Sequence, residues 1–89
     1  MTDISDVDAA KAVAHPLRVQ ILEALYGEPR SPKSLSQELG VRLSSVARHI
    51  VVLRDLGAIE LTGTRPARGA LEHFYRARWK VRVAVEPVD

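Results

Sequence analysis

At 89 residues the chain is expected to be a single domain over 1–89, and a domain of that size buries only about 60–65% of its unfolded surface, so a second copy would add to a modest core. Cysteine is absent, which excludes disulfides, thiolate chemistry and iron–sulfur sites, and no apolar run is as long as a membrane span. The net charge of +2 is uneven: residues 1–28 carry five acidic side chains against two basic, residues 29–89 eleven basic against six acidic, and ten of the thirteen basic residues are arginine. A basic half rich in planar guanidinium forks is the footprint of a polyanion binder. The beginning, MTDISDVDAAK, is acidic where a targeting segment would be basic, so a cytoplasmic location with no membrane partner is expected.

Residues 2–14 read as a first helix. Ser5 with Asp8 approximates a capping box, and Ile4, Val7, Ala10 and Ala14 share one face. His15-Pro16 ends it, since the residue before proline avoids the α region, and Pro16 opens the next helix, Leu17 to Tyr26. Its apolar residues Leu17, Val19, Ile21, Leu22, Ala24, Leu25 and Tyr26 leave a narrow stripe of Gln20, Glu23 and Gly27, so it should be the central, most buried one.

Ser31 to Gly57 carries two further helices. Ser31 is a good N-cap, Pro32 suits the first helical position, and Leu35 and Leu39 fall on one face. Gly40 supplies the left-handed residue that ends this helix. A second helix then runs from about Leu43 to Leu56, burying Val46, Ile50, Leu53 and Leu56, and Gly57 stops it. Two helices joined by a short turn with glycine in it are a helix-turn-helix signature.

Ala58 to Thr62 and Leu71 to Tyr75 read as strands around a turn-rich tip, Gly63 to Gly69, which carries Arg65 and Arg68. Strand, basic tip and strand directly after a recognition helix make a wing, over about 58–77. From His73 to Val85 a period of two continues, with Tyr75, Ala77, Trp79, Val81, Val83 and Val85 opposite Arg76, Arg78, Lys80 and Arg82, which predicts a strand-like tail. The expected class is mainly α with a small β-wing: a winged helix-turn-helix with a two-stranded antiparallel hairpin and that tail.

Several of these residues are similar to a known family. The stretch Ala14 to Leu22, Leu39-Gly40-Val41, Ser44-Ser45, Val46-Ala47-Arg48-His49-Ile50, Val52-Leu53-Arg54 and the run Gly69 to Arg76 resemble the ArsR-type winged-helix transcription regulators over roughly residues 12–77. Arg42 departs from the family, standing where a Ser-type cap is usual, and Val51 stands where a polar residue is common. The resemblance implies a DNA-binding regulator, by default a repressor, working as a homodimer; the first helix would pack on the core, pair with its copy as the resemblance implies, or do both.

On duplex DNA, Leu43, Ser44, Ser45 and Arg48 would face the major groove, with Arg48 gripping guanine and Leu43 touching a thymine methyl. Arg30, Lys33 and Arg54 would neutralise phosphates, Arg65 and Arg68 would hold the wing down, and a phosphate near Arg42 would offset its poor fit at a helix start. No enzyme is expected: Ser45 and His49 are four apart on one helix without a third group. No cofactor or metal is expected either, since His15, His49 and His73 lie far apart in sequence. The alternative is a protein-interaction module, favoured by the outward Leu43 and Val51, and steep salt dependence of binding separates DNA from an apolar partner.

Overall fold

The computed structural model describes residues 6–79. Within them run α1 (Asp6–Ala12), α2 (Pro16–Gly27), α3 (Pro32–Leu39), α4 (Leu43–Asp55), β1 (Ile59–Ala67) and β2 (Ala70–Ala77), the strands forming one antiparallel hairpin.

The core is built on α2. His15 caps it in an extended conformation, its Nδ1 accepting the Leu17 N–H at 3.2 Å, and Pro16 occupies the first turn. Leu17, Ile21, Leu22 and Leu25 are buried, as the nearly all-apolar circumference predicts. The described part of the apolar face read for the first helix is open in the single chain, and Ile4 and Ser5 lie outside the described residues. Val7, Ala10 and Ala14 are exposed, and Ala12 enters the core instead. Periodicity finds a stripe but not whether a neighbour covers it. Here α1 is held near its end, where Arg18 donates to the Lys11 carbonyl at 2.6 Å.

Ser31 caps α3 by accepting the Ser34 N–H at 3.1 Å, and Leu35 is fully buried behind it. Gly40 takes φ 66° and its N–H returns to the Ser36 carbonyl, which also receives the Val41 N–H at 3.1 Å. A side chain at that φ would be strained, so glycine sets the corner. The corner turns α4 so that Val46, Ile50 and Leu53 close on α2 and α3, leaving its other face outward.

The hairpin spans the expected stretch, but its strands run further into the tip than the breakers imply. Its register runs from Ile59↔Ala77 to Ala67↔Ala70, with a bulge between Leu61 and Gly63. Pro66 is tolerated because, among the described residues, β1 pairs on one side alone. The turn is confined to Arg68 and Gly69, with φ 46° and 80°, the two positive values of a tight hairpin turn. The other edge of β2 is met before α3: Arg30 and Tyr75 exchange both backbone hydrogen bonds at 3.0 Å.

The tail differs from its pattern. β2 ends at Ala77, opposite the first residue of β1, and beyond it the Arg78 and Trp79 N–H groups both turn to the Ala58 carbonyl, at 2.8 and 3.3 Å. Inward–outward alternation persists to Trp79, which packs half-buried against the core, but the strand stops because β1 offers no further partner. Lys80 to Val85 lie outside the described residues.

Candidate nucleic-acid interface

The outward face of α4 presents Leu43, Ser44, Ala47, Arg48, Val51 and Arg54 exposed, with Ser45 half-buried among them. The helix has no carboxylate before its last residue, Asp55, so no anion interrupts this face. Arg42 stands exposed at the N-cap position and makes no side-chain cap, which leaves the first N–H groups of α4 without a side-chain acceptor from that residue. Arg54 reaches Asp55 only at 3.5 Å, both side chains more than half exposed.

The wing folds back beside this face. Between the start of α3, α4 and the hairpin lies an open cleft of about 860 Å³. Lys33, Arg54 and Arg68 line it together with the acidic Glu72 and the apolar Pro32, Leu43, Leu61 and Leu71. Three elements thus bring basic side chains to one concavity, and Arg68 comes from the exposed hairpin turn.

Two other basic residues are differently engaged. Arg30 is half-buried; its guanidinium bonds Glu38 at 2.8 Å and donates to the carbonyls of Ala24 and Glu28, clasping the ends of α2 and α3. Arg65 pairs with Glu72 at 3.2 Å and lies 5.1 Å from the centre of the Phe74 ring. Glu72 in turn accepts a 2.6 Å hydrogen bond from the buried Ser31 hydroxyl. Bonds from Ser31 first, then from Arg65, hold its carboxyl below the ordinary glutamate range.

Behind the outward face sits a junction that sequence spacing does not reveal. The rings of His15 and His49 lie 4.4 Å apart between centroids, and Arg18 Nε donates to His49 Nδ1 at 3.1 Å. His49 is buried on the inner stripe of α4, three residues after Val46. Desolvation, then the charges of His15, Arg18 and Arg48, lowers its pKa from the ordinary histidine value. The only signals in the sequence are a histidine on an apolar stripe and another in a His-Pro cap; neither says they meet. With its Nδ1 occupied by Arg18, His49 does not offer that lone pair to Ser45. Among the described residues no three His, Asp or Glu side chains gather to hold a metal ion, and no helix is long and apolar enough to cross a membrane.

Residues 13–62 match the helix-turn-helix domain family. Among solved structures, HlyU from Vibrio cholerae is 31% identical over 80% of this chain and 72% of its own, with a TM-score of 0.64. The transcriptional regulator HlyU from Vibrio vulnificus is 27% identical over 83% of this chain and 72% of its own, also at 0.64. The homodimeric winged helix-turn-helix DNA-binding domain of Mb0332 from Mycobacterium bovis, a possible ArsR-family transcriptional regulator, shares the fold at 23% identity, covering 86% and 75% of the two chains at 0.64. Comparison with curated proteins gives no match.

Proposed function

This chain belongs to the helix-turn-helix domain family and is a DNA-binding transcriptional regulator of the ArsR-type winged helix-turn-helix kind; from that premise we propose that it reads a specific duplex sequence as a two-fold dimer and represses transcription by occupying it. The outward face of α4 carries this reading: small and basic side chains with Leu43 and Val51 among them, free of carboxylates, on a helix flanked by a cleft that Lys33, Arg54 and Arg68 line. An α-helix fits the major groove, where the Arg48 fork matches the two acceptors of guanine, Ser44 and Ser45 bond base or phosphate, and Leu43 touches a thymine methyl. Lys33, Arg42 and Arg54 neutralise phosphates along the groove, and Arg68 does so from the wing.

One such face is a small reader, and paired copies gain specificity by taking half-sites about one helical turn, roughly 34–36 Å, apart. The exposed apolar side chains of α1 and the turn after it, Val7 and Val13, are where a second copy would bury surface, and the Mb0332 domain is a homodimer. We place the protein in the cytoplasm, acting without a metal or cofactor.

Selection of bound sequences from random duplexes tests this. The expected product is a two-fold symmetric site, bound with an affinity that falls steeply with salt. Binding that shows no preference over random competitor, or that is indifferent to salt, would overturn it.

A further inference from the structure

Arg65 and Arg68 are three residues apart on one hairpin, yet the fold treats them differently. Arg68 occupies the turn and lines the cleft, whereas Arg65 does not line it and instead pairs across the hairpin with Glu72, its register partner and a residue of the cleft wall, and lies over Phe74. Glu72 is itself fixed from the other side. Its second carboxylate oxygen takes a 2.6 Å hydrogen bond from Ser31, the fully buried N-cap of α3. The Glu72 side chain is only 16% exposed while that of Arg65 is 68% exposed, so the carboxylate is seated and the guanidinium comes to it.

We propose that Glu72 is a positioning residue of the DNA interface: seated against Ser31, it ties the wing to the start of α3 and holds Arg65 as an internal counter-ion instead of a phosphate contact. The proposal presupposes the duplex binding argued above. Its chemistry is a competition between two anions for one guanidinium. An intramolecular carboxylate held at 3.2 Å competes with the DNA phosphate, and a phosphate that wins must leave the carboxylate unpaired beside DNA. Arg65 therefore stays with Glu72 in the complex, and the wing delivers one cation, Arg68, where the sequence offers two.

The test is the dependence of duplex affinity on salt for the wild type, Arg65→Ala, Glu72→Gln and the double variant, with folding of each checked by circular dichroism. Glutamine keeps an acceptor for the Ser31 hydroxyl and removes the charge that holds Arg65. We expect Arg65→Ala to leave the salt slope unchanged, and Glu72→Gln to bind more tightly with a slope steeper by about one phosphate contact. The double variant should return to the wild-type slope. A double variant that keeps the steeper slope would mean that Glu72 acts by general repulsion and not through Arg65, overturning the proposal. So would an Arg65→Ala slope already shallower by about one, which is readable even if Glu72→Gln fails to fold. If the wild type itself showed no salt-dependent duplex binding, the functional reading would fall first and this inference with it; a wild type that binds steeply beside an unaltered Glu72→Gln slope overturns the inference alone.

Discussion

Arg48 and Arg68 are both exposed, yet they stand on elements with different tasks. Arg48→Ala should cost about 1–3 kcal/mol of binding and relax preference at one base position. Arg68→Ala should weaken all sequences alike and reduce the salt slope by about one. Binding to a panel of single-base variants of the selected site checks both, and an Arg48→Ala that behaved like Arg68→Ala would mean that α4 enters DNA in another orientation. His49 sets a pH dependence. Burial, then the neighbouring His15, Arg18 and Arg48 charges, lowers its folded pKa below the ordinary 6.5, so near and below that value the unfolded chain binds more protons and stability is lost as pH falls. Thermal melting from about pH 7.5 down to about pH 5.5 should show a falling Tm, and the fall should flatten in His49→Gln. A wild-type Tm constant over that span would show that His49 is not kept neutral by the fold.

Single caps and corners decide the elements. Ser31→Ala removes the cap of α3 and the hydroxyl that seats Glu72, and should destabilise by about 1–2 kcal/mol in urea unfolding. Gly40→Ala forces a side chain to φ 66° and should cost about 1–2 kcal/mol. Gly27, at the end of α2 with open space where a Cβ would sit, is the control. Gly27→Ala should be neutral or stabilise by up to about 1 kcal/mol. Equal losses at the two glycines would mean that the turn before α4 does not depend on a left-handed residue.

At the scale of the whole molecule, the two-fold reading rests on where a second copy docks. Val7 and Val13 are 64% and 45% exposed, so Val7→Asp and Val13→Asp leave the monomer core intact while placing charge in the proposed interface. Sedimentation equilibrium should show a dimer for the wild type and dissociation for both variants, with Tm little changed at concentrations where the wild type is already monomeric. A wild type that stays monomeric when bound to DNA would remove the two-fold reading.

The helix-turn-helix was legible from Ser31, Pro32, Gly40 and the stripe of Val46, Ile50 and Leu53 because caps, left-handed corners and helical periodicity are properties of a few adjacent residues. The wing was legible over its span, about 58–77, but not in how far its strands run into the tip, since Pro66 breaks a central strand yet is harmless where, among the described residues, β1 pairs on one side alone. Where β2 stops was not legible, because Arg78 and Trp79 continue the alternation while β1 has no residue left to pair with them. The buried side of α1 also depended on its neighbours, which cover Ala12 and leave Val7 open. Which arginines pair with a carboxylate of the chain was beyond the reach of spacing altogether. Arg30 and Arg65 have the same chemistry as Arg48 and Arg68, and what engages them is Glu38 in one case and Glu72 in the other. Glu72 can do so because the fold sets it against Ser31, 41 residues away in the chain. Local backbone preference thus determined the elements and the candidate face. The partners of its charges were decided by tertiary structure, since a long side chain's counter-ion is whichever group the packed chain brings within reach.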